Sequence, residues 1–215
     1  QRSLLILEKY LIQKTNKVLT VSEGIANEYV RLYNIEKPVL ILNCPPYEIT
    51  EKHDLFRREF NIPDDHLIFL YQGGLSSGRG LPQLLDAFEE INDQSKHLIV
   101  MGYGELGAKV KEYEHENRNI HYKAAVKPTE LLEWTSSADI GFLTYENTCL
   151  NHYYCLPNKL FEYLMAGLPV VVSNLHELSR IIRNYNLGWV LEDNTAENIK
   201  ALIESIKKDD LISFQ

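Results

Sequence analysis

The chain has 215 residues, of which 45% are hydrophobic and 24% are charged, and its formal net charge is −8. This composition is ordinary for a globular protein, and the length suits one large α/β domain or one domain with part of another. An acidic surface is repelled by nucleic-acid phosphates, which excludes broad binding to DNA or RNA. No apolar run reaches the roughly 18 residues of a membrane span.

Three cysteines, Cys44, Cys149 and Cys155, have no C-x-x-C spacing and form no recognisable metal pair. We interpret them as reduced thiols, buried as small side chains, in a cytoplasmic protein. A peripheral position at the inner face of a membrane stays open as an alternative. The sequence starts without methionine and partway through an apparent helix, which we interpret as an excerpt from a longer chain.

The first 37 residues contain a helical pattern, the apolar run 17–21 and a second helix that Ser22 opens. We predict that residues 1–37 are the end of a preceding domain, with a linker near 34–38, and that residues 38–215 form the main domain. Further apolar runs follow at 39–42, 67–71, 97–101, 120–123, 140–144 and 169–173. Helical patterns alternate with them at 81–91, 105–117, 127–136, 158–166, 175–184 and 195–207.

Several of these runs are continuously apolar, as strands covered on both faces are. Strand–helix alternation with short loops predicts an α/β fold with a Rossmann-like, doubly wound parallel sheet. Ligands of such sheets bind beyond the carboxyl ends of the strands. Functional residues are therefore expected in the loops that directly follow the strands.

The first of these loops is 71–80 (YQGGLSSGRG), which joins a strand to a helix. Glycines let a backbone approach an anion closely, and Arg79 adds a forked cation suited to phosphate. Gly73 and Gly78 have the spacing of a P-loop. Arg79 and Gly80 replace its lysine and its Ser/Thr, however, which excludes a P-loop ATPase. The alternative is a tight turn with a solvated arginine.

A second loop places Gly102, Gly104 and Gly107 in the pattern G-x-G-x-x-G. A dinucleotide site also needs an acidic residue about 20 positions later. Residues 122–126 contain no carboxylate, so the pattern does not indicate an NAD site. Close packing of the backbone is the alternative role of these glycines.

A third loop leads into the helix 158–166, which Gly167 ends. Pro157, Asn158 and Lys159 open this helix, so its free N–H groups face the carboxyl edge of the sheet. Glu162, one turn later, can accept hydrogen bonds from a ribose diol. The alternative is a solvated i, i+3 pair of Lys159 and Glu162. Four neighbours are expected in the core: Leu160, Phe161, Tyr163 and Leu164.

Together these segments resemble the retaining glycosyltransferases of the GT-B fold, and among them glycosyltransferase family 4 (glycosyl transferases group 1). The resemblance covers about 18–206 and rests on four motifs in order: Gly73-Gly74-Leu75…Arg79-Gly80, Gly102-Tyr103-Gly104, Ala138-Asp139-Ile140, and Pro157-Asn158-Lys159-Leu160-Phe161-Glu162-Tyr163…Gly167-Leu168-Pro169-Val170. It implies that the chain is the carboxy-terminal, nucleotide-sugar-binding half of a GT-B fold. A second, amino-terminal Rossmann-like domain would bind the acceptor.

By position, the resemblance makes Arg79 the cation on the donor diphosphate and Glu162 the carboxylate on the ribose; we name both as candidate catalytic residues. It implies that Val126 and Leu131 lie near the base. The other candidate donor-binding residues are Gly73, Gly74, Gly80, Gly102, Gly104, Leu156, Pro157, Asn158 and Lys159.

Two positions depart from the family pattern. Gly74 stands where many relatives have an arginine, and Tyr154 stands where the first glutamate of an E-x7-E pair is usual. The loop 147–155 must therefore contact the donor sugar differently. We predict that Asn151, His152 and Tyr154 make these contacts.

The resemblance implies transfer of a sugar, with retention, from a UDP- or GDP-sugar to a hydroxyl of a saccharide or lipid-linked acceptor, in bacterial polysaccharide or glycolipid synthesis. No cofactor or metal is expected, because no strand-end D-x-D and no His/Cys cluster occurs. The chain alone is expected to bind donor weakly and to catalyse nothing. A UDP-sugar epimerase of this fold, a non-catalytic nucleotide-sugar-binding module and an unrelated Rossmann-like domain are the alternatives.

Overall fold

A computed structural model describes residues 2–214, with side chains described from Leu4 onward. It contains a six-stranded parallel sheet flanked by helices, and a separate two-stranded parallel sheet near the amino terminus. The elements are α1 (Arg2–Ile12), β1 (Leu19–Thr20), α2 (Glu23–Tyr33), β2 (Val39–Leu40), α3 (Leu55–Phe60), β3 (Leu67–Gly74), α4 (Leu81–Glu89), β4 (Lys96–Tyr103), α5 (Gly107–Glu116), β5 (Ile120–Ala124), α6 (Leu131–Thr135), β6 (Ile140–Leu143), α7 (Leu150–Tyr154), α8 (Asn158–Met165), β7 (Val170–Val172), α9 (His176–Tyr185), β8 (Gly188–Val190), α10 (Ala196–Ser205) and a terminal 3-10 helix (Lys208–Phe214).

The order of strands in the large sheet is β5-β4-β3-β6-β7-β8. Strands β4 and β5 follow one another on one side of β3, whereas β6, β7 and β8 lie on its other side. The predicted Rossmann-like parallel sheet is confirmed. The neighbours β3 and β6 form the topological switch point, where open α/β sheets have their ligand crevice.

The central strands form because their side chains are covered on both faces. Residues 67–72 of β3 and 96–102 of β4 are all buried, as continuous apolar runs predict. Phe69 and Tyr71 pack with helices α4, α5 and α10, while Ile68 and Leu70 pack with α3, α8 and α9. Successive residues of one strand thus build two separate cores.

The residues predicted to start and end helices lie at helix ends in the structure. Ser22 accepts a hydrogen bond from the N–H of Ile25 at the start of α2, and Thr195 accepts one from Asn198 at the start of α10. Pro82 lies in the first turn of α4. Gly167 follows α8 with φ +74°, a conformation that favours glycine.

Four elements were not predicted: the helices α3 and α7, of six and five residues, the edge strand β8, of three, and the terminal 3-10 helix, of seven. Each is shorter than the window over which periodicity can be recognised. The expected burial of the cysteines is wrong, because Cys44 and Cys149 are exposed and only Cys155 is half-buried. All three are free thiols.

The amino-terminal segment packs through α2 against the helices α7 and α9. The buried carboxylate of Glu177 on α9 accepts a 2.5 Å hydrogen bond from the N–H of Gly24, and it pairs with Arg180 at 2.6 Å. The ring of Tyr154 covers Gly24 so closely that a Cβ at this position would clash with it. Strand β2 pairs with β1 and not with the large sheet; the domain boundary at residue 38 stays a prediction.

Three imidazoles line up at the amino-terminal edge of the large sheet. His66 and His97 approach at 2.9 Å between ring nitrogens, and His97 and His121 at 3.0 Å. Burial and the neighbouring rings lower the pKa of His97 to about 4, and burial lowers that of His121 to about 4. Arg57 lies at the same edge, paired with Asp139 at 2.8 Å.

Candidate functional site

The glycine-rich loop after β3 is fastened to the end of β6. The N–H of Glu146 donates to the carbonyl of Gly78 at 3.0 Å, and the hydroxyl of Thr144 donates to the carbonyl of Arg79 at 3.2 Å. Gly80 begins α4 with φ +69°, and a Cβ there would collide with the carbonyl of Thr144. The loop therefore sits at the switch point in a fixed conformation that requires glycine at position 80.

The opposite side of this loop is held by Glu105, which sequence reasoning did not identify. Its carboxylate accepts hydrogen bonds of 2.8 Å from both the N–H and the hydroxyl of Ser77. The two hydrogen bonds lower the pKa of this carboxyl group, so it stays ionised at neutral pH. The loop is thus anchored to β6 on one side and to the segment after β4 on the other.

The Arg79 guanidinium lies across Gly74. A Cβ at Gly74 would be 3.3 Å from Nη1 of Arg79, so the absence of a side chain leaves the space that the guanidinium uses. The guanidinium carbon is also 5.6 Å from the centre of the Tyr145 ring. Arg79 is half-buried and held by packing, which contradicts the alternative of a freely solvated arginine.

Lys159, at the start of α8, points inward. Its side chain is 8% exposed, and its ammonium lies 4.8 Å from the Tyr71 ring centre and 5.5 Å from that of Tyr145. No carboxylate of residues 4–214 forms an ion pair with it, so the solvated pair with Glu162 is not present. Burial, helped by the nearby Arg79 charge, lowers the pKa of Lys159 to about 7.

Arg79 and Lys159 therefore form a cationic pair on a shared aromatic support. A Cβ at Gly73 would be 3.5 Å from the Lys159 ammonium, so the loop backbone runs directly beside it. Two like charges at one buried place cost free energy unless an anion joins them. The arrangement suits a polyanion such as a diphosphate.

Glu162 lies one turn further along α8 and is half-buried. Its Oε2 accepts a 2.7 Å hydrogen bond from the side-chain amide of Gln72, which is 1% exposed. Glu162 also lines a cleft of about 310 Å³ together with Leu131, Leu132 and Met165. The cleft joins this carboxylate to Leu131, one of the two predicted base contacts; Val126, the other, is half-buried against the same hydrophobic core.

Gly102 and Gly104 pack against the loop after β3. A Cβ at Gly102 would collide with the carbonyl of Gly73, and one at Gly104 with the carbonyl of Leu75. Two backbone hydrogen bonds join the same two segments. The N–H of Leu75 donates to the carbonyl of Tyr103 at 2.9 Å, and the N–H of Leu106 donates to the carbonyl of Leu75 at 3.0 Å. The structure thus supports close backbone packing as the role of these glycines, and their contact with a nucleotide stays a prediction.

The segment between β6 and α8 divides into two parts. His152 lies beside the site: its Cε1 would be 3.4 Å from a Cβ at Gly78, and its ring contacts Tyr145 with centres 5.3 Å apart. Tyr154 instead packs on Gly24 and on His176, with ring centres 5.4 Å apart. Asn151 is exposed. The sugar contacts of Asn151 and His152 stay predictions, as does that of Tyr154, although the packing of Tyr154 supports a structural role.

Before α8, Leu156 is buried in the core, Pro157 caps the helix with φ −76°, and Asn158 is exposed at its first position. Tyr163 is fully buried, as predicted, and so is Leu160, while Phe161 and Leu164 pack partly buried against the core. Sequence reasoning missed Tyr71, Gln72 and Tyr145. Only Gln72 had a visible signal, as a polar residue within an apolar strand.

Comparison with known proteins agrees with this geometry. Residues 52–213 match the family of glycosyl transferases group 1, and the chain belongs to that family. It is 25% identical over 191 residues to the uncharacterized glycosyltransferase MJ1607 of Methanocaldococcus jannaschii. That alignment covers 83% of this chain and 47% of the relative. The chain thus spans about half the length of that relative.

Solved structures of glycosyltransferases share the fold. WaaG, a glycosyltransferase involved in lipopolysaccharide biosynthesis, is 17% identical with a TM-score of 0.71, covering 92% of this chain and 56% of WaaG. Anabaena HepE in complex with UDP and glucose is 14% identical with a TM-score of 0.76, covering 98% of this chain and 59% of HepE. Within residues 2–214, no helix is long and apolar enough to cross a membrane.

Proposed function

We propose that this chain is the donor-binding part of a retaining glycosyltransferase that uses a UDP- or GDP-sugar. The observation that carries the proposal is the pair of Arg79 and Lys159 on Tyr145, at the switch point of the sheet, with no ion-pairing carboxylate among the described side chains. A buried lysine beside a half-buried arginine, neither of them in an ion pair with a described residue, is suited to an anionic ligand. A nucleoside diphosphate supplies that charge, and Glu162, one turn further along α8, would take its ribose.

The chemistry follows from the leaving group. When the bond between the anomeric carbon and the phosphate oxygen breaks, negative charge develops on the departing diphosphate. Arg79 and Lys159 would stabilise that charge, assisted by the N–H groups at the start of α8. Loss of one such preorganised contact typically costs about 3–4 kcal/mol at the transition state, on the order of 10²–10³ in rate.

The comparisons support the donor class and the pathway. HepE has been solved with UDP and glucose, and WaaG takes part in lipopolysaccharide biosynthesis. We propose the same class of donor here, an acceptor that is a saccharide or a lipid-linked saccharide, and work at the cytoplasmic face of a membrane. The acceptor would bind to the amino-terminal domain that the resemblance implies, and no metal would be required.

A non-catalytic nucleotide-sugar-binding module is the second candidate, because Gly74 and Tyr154 depart from the family pattern. The position of Arg79 weakens this candidate, since its guanidinium fills the space above Gly74 and supplies a cation there. Donor hydrolysis by a longer protein that includes the amino-terminal domain would exclude it. No donor turnover by such a protein, despite donor binding, would favour it.

Calorimetric titration of the chain with UDP and GDP tests the binding proposal. We expect one of the two nucleotides to bind, and Arg79→Ala and Glu162→Ala each to weaken its binding by about tenfold or more. Arg58→Ala is the matched control, because it removes one cation from the exposed surface of α3. Equal binding by all four proteins would place the site elsewhere. No binding to the folded wild-type chain would refute nucleotide recognition by this domain.

A further inference from the structure

A buried glutamine links the strand β3 to the helix α8 beneath the candidate site. Gln72 lies near the carboxyl end of β3 and is 1% exposed, although the preceding residues of the strand are all apolar or aromatic. Its Nε2 is 2.7 Å from Oε2 of Glu162, and its Oε1 is 2.8 Å from the hydroxyl of Thr135 on α6. One side chain thus connects three elements of the sheet's carboxyl edge.

The chemistry of these partners fixes the orientation of the amide. An ionised carboxylate only accepts hydrogen bonds, so the group of Gln72 that faces Glu162 must be the NH₂. The amide oxygen then faces the hydroxyl of Thr135, whose single proton is shared between this oxygen at 2.8 Å and the carbonyl of Leu131 at 2.7 Å. A buried amide satisfied on both ends has little freedom to rotate.

The backbone of Gln72 is tied to the same helix. Its N–H donates to the hydroxyl of Tyr163 at 3.0 Å, and this hydroxyl lies 3.1 Å from the carbonyl of Leu70. Glu162 and Tyr163 are consecutive residues of α8, so β3 holds the helix at two successive positions. The carboxylate of Glu162 is therefore fixed relative to the strand.

This contact occupies one oxygen of Glu162 and leaves the other open. Oε1 has no hydrogen-bond partner among the described residues, and Glu162 lines the cleft of about 310 Å³ that contains Leu131. Oε1 can accept from a ligand hydroxyl in that cleft. A carboxylate held rigidly discriminates better than a mobile one, because it cannot turn to water when the hydroxyl is missing.

We propose that Gln72, oriented by Thr135, is a positioning residue that makes Glu162 selective for a ribose diol over a deoxyribose in the bound nucleotide. The inference rests on the proposed function, because it requires a nucleoside diphosphate in the cleft. Gln72 itself does not touch the nucleotide; it acts by holding the carboxylate. Its removal should therefore change selectivity for the sugar of the nucleotide more than it changes affinity for the phosphates.

The test is calorimetric titration of the chain with UDP and 2′-deoxy-UDP, and with GDP and 2′-deoxy-GDP. The wild type should bind the ribonucleotide of one pair about ten- to a hundredfold more tightly than its deoxy form. Gln72→Leu removes the amide at similar size, and we expect the ratio to fall to about threefold or less. Most of the change should be a loss of ribonucleotide affinity, with the affinity for the deoxy form nearly constant.

Thr135→Val and Thr135→Ser keep the inference testable if Gln72→Leu does not fold. Thr135→Val loses the hydroxyl that orients the amide and should lower the ratio, while Thr135→Ser keeps the hydroxyl and should preserve it. Equal weakening of both nucleotides in the valine variant or the leucine variant would indicate a purely structural role and overturn the inference. A wild-type ratio near one would overturn it and leave nucleotide binding intact. Failure of the wild type to bind any of the four nucleotides would overturn both proposals.

Discussion

The buried ammonium of Lys159 predicts that nucleotide binding weakens as pH rises above neutrality. With a pKa of about 7, this lysine is half-protonated in the free protein at pH 7 and about one part in a hundred protonated at pH 9. Only the protonated form pairs with a diphosphate. The Kd for the nucleotide that binds should therefore increase about fiftyfold between pH 7 and pH 9, about fivefold over the first unit and about ninefold over the second.

Other groups near the ammonium hold their charge over this range. Burial raises the pKa of both Tyr71 and Tyr145, and that of the Cys155 thiol to about 11. A phosphate ester loses its second proton near pH 6, so the nucleotide also keeps its charge above pH 7. The interval from pH 7 to 9 thus isolates the titration of Lys159.

The assay is calorimetric titration at pH 8 in two buffers with different ionisation enthalpies. We expect uptake of about 0.9 proton per nucleotide bound, since about nine in ten free proteins start with a neutral lysine. Lys159→Met keeps the length of the side chain without its charge. It should bind more weakly than wild type at pH 7 and show no proton uptake, and the difference between the two Kd values should narrow as pH rises.

The stability of the free protein should change with pH in the opposite direction. Unfolded chains hold the Lys159 proton up to about pH 10.5, while the folded protein releases it near pH 7. The unfolded state therefore binds more protons between these two pH values. The contribution of Lys159 to the free energy of unfolding should thus increase as pH rises. A Kd independent of pH from 7 to 9, without proton uptake, would refute a buried lysine of this kind.

Three further predictions concern the glycine-rich loop and the row of histidines. Gly80→Ala should lower the free energy of unfolding, measured in urea, by about 1–3 kcal/mol, because φ is positive and the new Cβ meets the Thr144 carbonyl. The pKa values of about 4 mean that the unfolded state binds more protons at His97 and His121 between pH 6.5 and 4. The free energy of unfolding should fall as pH decreases through this range. It should fall less steeply in His97→Gln and in His121→Gln. Glu105→Ala frees the glycine-rich loop and should weaken UDP or GDP binding about three- to tenfold in calorimetry.

Each of these has a control in the same chain. Gly107→Ala adds a Cβ whose nearest atom is 4.0 Å away, and should leave stability nearly unchanged. His115→Gln and Glu112→Ala alter exposed side chains of α5 and should match wild type in the acid titration and in nucleotide affinity. A loss of stability in Gly107→Ala as large as that in Gly80→Ala would contradict the argument from the Thr144 contact. Acid titration curves of His97→Gln that coincide with those of wild type would contradict the argument from the lowered pKa values.

The sequence predicted the fold class because the signals for it are local. Continuous apolar runs, the caps Ser22 and Thr195 and the stop at Gly167 act within a few residues of themselves, and all three capping signals are confirmed. The order of the strands is not local. It depends on which edge of β3 receives β6, and no property of residues 140–143 encodes that choice.

The candidate site was predictable only in outline. Arg79, Lys159 and Glu162 could be named from their loops and from the resemblance, but the sequence could not indicate that Lys159 is buried and unpaired. That property depends on Tyr71 and Tyr145, which arrive from two different strand ends and appear in the sequence as ordinary core residues. The same holds for Gln72 and Thr135, 63 positions apart and in direct contact.

The contact between α2 and α9 limits how such proteins can be recombined. The buried carboxylate of Glu177 is matched to the backbone of Gly24, and the ring of Tyr154 requires that residue 24 has no side chain. Under the proposed division of the chain at residue 38, a chimera that joins residues 38–215 to another amino-terminal part must supply glycine at the equivalent of position 24. The start of α2 therefore restricts which amino-terminal parts can replace the present one.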